Sequence, residues 1–327
     1  MPAMRSKPLT LILLILRAMV VVAWRRLTRQ PGSTVQKFRV QVLLEILRRD
    51  LERMIEIPPH VVRRLERPTP MLPSIRRQVH METIDVAGVS TLDIRPQGWQ
   101  DGGPTLLYFH GGGYCVCSPK THRVLGAQLA LAGGVRCLMP DYRLAPEHPY
   151  PAAIDDAMAV YRQLLADGVD SEHLNLGGDS AGGGLTLACM LRLRDDGEPL
   201  PRRAILLSPW ADLTLSGGSI TSNASTDYLS RPVLEWFANN YVGDHDPRNP
   251  EISSLHADLG GLPPTLVQVG GAEVFLDEVK ALAERLKTAG VAAELQVFPA
   301  AAHVFQAFGP VTPEAKVAVD RLGEFLR

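Results

Sequence analysis

The chain has 327 residues, 46% hydrophobic and 21% charged, with 34 Lys and Arg against 35 Asp and Glu and a net charge of −1. This is an ordinary globular balance, long enough for one large core plus a subdomain. It excludes a general attraction to nucleic acid or acidic polymers, and the chain has no internal repeat or low-complexity tract.

The N-terminal run Leu9–Trp24 is unusually apolar. It falls short of the roughly 20 residues that span a bilayer, and Arg17 at its centre costs about 2.5–3.5 kcal/mol on insertion scales. Three readings stay open: a helix packed on the protein or lying at a membrane surface, a membrane anchor, or a signal peptide. No small-x-small site closes the run, and Arg25-Arg26 follows at once, which argues against cleavable export. Arg25, Arg26, Arg29, Lys37 and Arg39 outnumber Arg5 and Lys7, so the positive-inside rule would keep the rest of the chain cytoplasmic even if Leu9–Trp24 did span.

Residues 1–78 precede the first strand and form one unit with the N-terminal run; residues 79–327 form the second. Val79–Val86 and Ser90–Pro96 read as an antiparallel pair. Leu106–Phe109 reads as a buried strand and runs directly into His110-Gly111-Gly112-Gly113-Tyr114. Three glycines after a strand let the backbone turn its N–H groups toward one point, where they can hold an oxyanion. Gly111 and Gly112 are the expected donors, with His110 and Gly113 bracing the loop. No G-K-[ST] follows, which argues against a phosphate loop.

Val135–Asp141 is the next strand and Ala153–Ala166 a helix. The strand Leu174–Gly177 then meets Gly178-Asp179-Ser180-Ala181-Gly182-Gly183, and a helix follows at Leu185–Arg194. A G-x-S-x-G between strand and helix makes a turn so tight that the serine needs small neighbours. Ser180 is the expected nucleophile, with Gly178, Asp179 and Gly182 supporting it. The N–H of Ala181 is a third oxyanion donor at the positive end of a helix.

Ala204–Ser208 is a further strand. Residues 212–262 then interrupt the alternation and carry a helical run, Pro232–Val242, whose Trp236, Phe237 and Tyr241 are either pocket walls or simple core. Thr265–Val269 is a buried strand, and Glu273 lies just past its end, where α/β active sites gather. Glu294–Phe298 is the last strand, followed by His303. A serine hydroxyl needs a base, and the base needs an orienting carboxylate. Ser180, Glu273 and His303 supply these in the order serine, acid, histidine. Asp277 is the alternative acid, although Asp277-Glu278 also suits the first turn of the helix Val279–Ala289.

The remaining histidines read as local hydrogen-bonding residues, His122 among them. Cys115, Cys117, Cys137 and Cys189 read as free thiols of a reducing compartment. Cys115-Val116-Cys117 lacks a second ligand pair, so no metal site is expected. The strand–helix alternation implies a mostly parallel sheet covered on both faces.

Taken together, His110–Tyr114, Asp141–Pro149, Gly178–Gly183, Ser208-Pro209-Trp210 and His303-Val304-Phe305 resemble the hormone-sensitive-lipase family of α/β-hydrolases, from about Ile84 to the C-terminus. The resemblance implies an α/β-hydrolase fold in which residues 1–78 and 212–262 pack together as a helical cap. It implies a carboxylesterase acting on short- to medium-chain acyl esters, without a cofactor. It assigns Ser180 as nucleophile, His303 as base and Gly111, Gly112 and Ala181 as oxyanion donors. The family's D-x-L-x-D acid motif matches Glu273-Val274-Phe275-Leu276-Asp277, so glutamate stands where aspartate is usual. A lipase, amidase or acyltransferase would use the same triad, and a binding protein on a disabled scaffold is a rival of another class. A lipid ester is an allowed substrate if Leu9–Trp24 meets a membrane surface. An exposed C-terminal sheet edge would permit a homodimer.

Overall fold

The computed structural model describes residues 8–30, 32 and 35–327. Its centre is one eight-stranded sheet. The strands are β1 (Val79–Val86), β2 (Val89–Pro96), β3 (Thr105–Phe109), β4 (Arg136–Pro140), β5 (Leu174–Asp179), β6 (Arg203–Leu207), β7 (Thr265–Gly270) and β8 (Ala293–Phe298). Their order is β1-β2-β4-β3-β5-β6-β7-β8. β2 runs antiparallel to β1 and β4; every later pairing is parallel. All eight expected strands are present, with ends differing by a few residues at most.

The helices are α1 (Pro8–Leu27), α2 (Phe38–Met54), α3 (Pro59–Leu65), α4 (Pro73–Arg76), α5 (Pro119–Gly133), α6 (Ala152–Ala166), α7 (Ala181–Asp195), α8 (Ser219–Ser222), α9 (Arg231–Val242), α10 (Leu276–Thr288) and α11 (Glu314–Leu326). Strand side chains alternate between two layers. Leu106, Tyr108, Ile205 and Leu207 pack with α5 and α11 on one face. Leu107, Phe109, Leu176 and Leu206 pack with α6, α7 and α10 on the other. The central strands are buried end to end, as parallel strands covered on both faces must be.

The parallel strands all point the same way, so the loops after β3, β5, β7 and β8 gather at one edge of the sheet. Helices α1 and α2 and the 212–262 insertion lie outside the sheet layers. Gln36 Nε2 donates to Thr226 O at 2.8 Å, and the Arg48 guanidinium donates to Asp227 O, so the N-terminal helices are bonded to the insertion.

The apolar run at the N-terminus is helical, but among the described residues no helix is long and apolar enough to cross a membrane. The spanning alternative therefore fails: Arg17 interrupts the run, and α1 continues through Arg25 and Arg26. Arg5 and Lys7, weighed in the expected orientation, lie outside the described residues. All four cysteines are unpaired.

Leu176, fully buried on β5, is a direct test of this packing. Leu176→Ala is expected to lower unfolding free energy by about 2–5 kcal/mol, read from urea denaturation followed by circular dichroism. A loss below about 1 kcal/mol would contradict the described core.

Candidate active site

Ser180 sits between β5 and α7 with φ 53 and ψ −122, a conformation that L residues rarely adopt. Its backbone is pinned on both sides. Ser180 N–H donates to Leu207 O at 2.9 Å, and Ser180 O accepts from Trp210 N–H at 2.9 Å and Gly184 N–H at 3.1 Å. The turn closes only because Gly182 is small: a Cβ there would run into the Phe109 carbonyl. The strain is thus held in place by β3, β6 and α7 together.

Ser180 lies on the wall of a cavity of about 180 Å³, which it shares with Gly112, Gly113, His122, Asp179 and His303. The apolar side of the cavity comes from Leu51 of α2, from Trp210, Tyr228, Leu229 and Leu234, and from Phe237 of α9. Of the three aromatics expected at this helix, Phe237 reaches the cavity. Tyr241 is buried and stacks on Tyr114, ring centroids 3.7 Å apart. Trp236 packs edge-on against Phe237.

His303, in the loop after β8, places Nδ1 3.6 Å from Glu273 Oε1, and both side chains are buried. That is ion-pair reach rather than hydrogen-bond length. Glu273 is fixed through its other oxygen: Oε2 accepts from Ser208 Oγ and from Gly270 N–H, each at 2.8 Å. Ser208 Oγ also accepts from Val304 N–H at 3.2 Å, so one hydroxyl ties the acid to the loop of the histidine. Burial by itself lowers the His303 pKa, but the facing Glu273 and Asp227 carboxylates outweigh it, and the net direction is upward.

Asp277, the alternative acid, is turned away. Its Oδ2 accepts from Ser219 N–H at 2.7 Å, and Ser219 Oγ accepts in return from Asp277 N–H at 3.0 Å while donating to Val274 O at 2.7 Å. It anchors α8 to α10. Glu278 is buried rather than a solvated first-turn acid, and burial pushes its pKa up.

The glycine loop expected to hold an oxyanion turns only part of its backbone to the cavity. Gly111 N–H donates to Asp179 Oδ2 at 3.1 Å, and Gly111 does not line the cavity. Its donor is spent on holding the loop against the elbow. Gly113, expected only as a brace, stands on the cavity wall with Gly112. Gly112 has φ 117, and a Cβ there would meet the Val116 carbonyl, so glycine is required. Ala181 is the first residue of α7 and is fully buried behind Ser180. His110 braces its loop as expected: Nδ1 lies 2.7 Å from Gly111 O, and the ring stacks on Tyr142.

Two residues escape the sequence reading. His122 Nε2 lies 3.3 Å from Asp179 Oδ2, on the cavity wall. Burial disfavours charge on both groups, but their mutual attraction outweighs it: the net direction is up for His122 and down for Asp179. With Tyr108 Oη donating to Asp179 Oδ1 at 2.8 Å, this pair locks the oxyanion loop to the elbow. The second is Asp227, fully buried in the insertion. Its Oδ1 accepts from Tyr228 N–H (2.8 Å) and His303 N–H (3.2 Å), and its Oδ2 from Val274 N–H (2.9 Å). Burial raises its pKa to about 6.

The Ser208 hydroxyl is the removable link between Glu273 and the His303 loop, the expected acid and base. Ser208→Ala is expected to lower kcat by up to about 100-fold, the scale of a misplaced reacting group, with KM little changed and the circular dichroism spectrum retained. An unchanged kcat would show that the hydroxyl does not hold the acid in place.

Against this geometry, the family described as alpha/beta hydrolase fold matches residues 106–307. An acetyl-hydrolase of Streptomyces hygroscopicus is 44% identical over 226 residues, 69% of this chain and 76% of that protein. An esterase of Acinetobacter venetianus is 39% identical over 249 residues, 76% of this chain and 82% of that protein. The crystal structure of an esterase from the bacterial hormone-sensitive lipase family superimposes with a TM-score of 0.76 at 41% identity, covering 96% of this chain and 97% of that one. The chain belongs to the hormone-sensitive-lipase family of α/β-hydrolases and is a carboxylic ester hydrolase.

Proposed function

We propose that this enzyme is a serine carboxylesterase for short-chain acyl esters, working through Ser180, His303 and Glu273. The observation that carries the reading is the meeting of Ser180 and His303 on one cavity, with Glu273 Oε1 facing His303 Nδ1. In the proposed reaction His303 takes the proton of Ser180 Oγ as that oxygen attacks the ester carbonyl. The carbonyl oxygen becomes an oxyanion, cradled by the N–H groups of Gly112, Gly113 and Ala181. Glu273 stabilises the imidazolium, which then protonates the leaving alcohol. Water, activated by His303, attacks the acyl-enzyme carbonyl and releases the acid and free Ser180. The sequence of steps needs no cofactor.

The size of the cavity supports the proposed substrate class. At about 180 Å³ it lies below the roughly 300–1,000 Å³ of pockets that hold drug-sized ligands. Apart from Ser180, His303 and the His122–Asp179 pair its wall is mostly apolar, which suits a small acyl chain. The acetyl-hydrolase among the relatives supports the same end of the range. We assign residues 1–78 and 212–262 as a cap: Leu51 and Phe237 come from these segments and close the cavity over Ser180.

Two expectations test this. Across p-nitrophenyl esters from acetate to palmitate, kcat/KM should be highest at the short end, and Ser180→Ala should lower it by at least about 10⁴-fold. A maximum at palmitate would favour a lipase; residual turnover near wild type would place the nucleophile elsewhere. The second expectation is a pH profile. The carboxylate facing His303 stabilises the charged ring, so the acid limb of kcat/KM should lie above histidine's ordinary 6.5. Glu273→Gln should move that limb to lower pH while reducing kcat. A limb that stays in place in this variant would contradict the role of Glu273.

A further inference from the structure

Among the described residues, the outer face of α1 has no partner. Leu16, Val20, Trp24 and Leu27 are 50%, 69%, 60% and 78% exposed, and Met19 stands beside them at 39%. Their spacing puts them in one stripe along the helix. On the opposite side Ala18 and Val22 are buried, and α1 packs on α2. A helix that already has a packed face would ordinarily show polar residues outward. Here the outward face is apolar over most of its length.

Charge says what could cover it. The first 44 residues contain eight Lys and Arg and no Asp or Glu, although the whole chain is nearly neutral. Arg25 and Arg26 turn inward, to Glu45 and to Gln41. Arg17 and Arg29 are exposed on α1 and just beyond it. A second copy docking face to face would bring the same cationic segment against itself. An anionic lipid surface complements both the charge and the apolar stripe. Trp24 adds an amphipathic ring of the kind favoured at the headgroup level.

We propose that α1 is an interfacial helix that docks this enzyme on the surface of an anionic phospholipid bilayer, lying in the plane of the membrane. Leu16, Val20, Trp24 and Leu27 enter the headgroup–acyl boundary, while Arg17 and Arg29 meet the phosphates. Crossing is excluded because the other face of α1 stays packed on α2. That helix carries Leu51 on the wall of the active-site cavity, so docking brings the cavity close to lipophilic esters held in the membrane. The inference stands on surface and charge alone and does not depend on the triad assignment.

The test is co-sedimentation of the full-length enzyme with vesicles of phosphatidylcholine, or of phosphatidylcholine mixed with phosphatidylglycerol. The comparison is Val20→Glu/Leu27→Glu, two exposed positions outside the cavity. Wild type should pellet with the phosphatidylglycerol vesicles and be released by high salt, which screens the cationic contribution. The variant should bind about tenfold less or weaker still, while hydrolysing p-nitrophenyl acetate like wild type, which certifies its fold. Wild type remaining in the supernatant with both vesicles would overturn the proposal, as would equal pelleting of the variant. So would a wild-type dimer in solution that the variant dissolves without any vesicle binding, because the stripe would then be a contact between copies.

Discussion

The backbone of Ser180 is held at φ 53 and ψ −122, and most of the site is arranged to keep it there. A strained residue persists only where its surroundings over-determine it. Here Leu207 of β6 accepts its N–H, the first turn of α7 and Trp210 bond its carbonyl, and Gly182 lets β3 pass close beneath. These elements are remote in sequence, so the turn exists only once the parallel sheet has formed. The sheet in turn exists because each central strand is apolar on both faces and is covered by helices on both sides.

A second tier of contacts fixes everything else relative to that turn. Asp179, next to Ser180, uses one oxygen for Tyr108 and the other for Gly111 N–H and His122. The glycine loop, the proposed oxyanion cradle, is therefore set by the residue beside the proposed nucleophile. Ser208 performs the equivalent task for Glu273 and the His303 loop. Asp227 goes further, because its single buried carboxylate bonds the backbone of Val274, of His303 and of its own neighbour Tyr228. It stitches the insertion to the loops that carry acid and base. Asn223 and Thr226 of the insertion add bonds to the carbonyls of Glu273 and Ala272, so a shift of the insertion reaches the proposed triad through several residues.

Much of this was legible in the sequence, and the part that was not has a physical reason. All eight strands were readable because short apolar runs bounded by Gly and Pro repeat along the chain. The Ser180 turn, the glycine loop and the serine–acid–histidine order were readable because their chemistry demands particular residues at particular spacings. Which of Gly111, Gly112 and Gly113 lines the cavity was not, since neighbouring glycines look alike in sequence. His122 and Asp227 were invisible for another reason. Their partners Asp179 and His303 lie 57 and 76 positions away, and the three groups that donate to the Asp227 carboxylate are all backbone N–H, which leaves no mark on residue type. Asp277 was a fair rival on spacing; the structure commits its carboxylate to Ser219 N–H and faces Glu273 to His303.

The account places the chemistry on Ser180 and the supporting geometry around it. The most direct measurement is covalent trapping: incubate the active enzyme with a p-nitrophenyl alkylphosphonate, then locate the adduct by peptide mass mapping. One phosphonyl group on Ser180, forming in step with loss of esterase activity, is the predicted result. An adduct at another residue, or full inactivation with Ser180 unmodified, would contradict it.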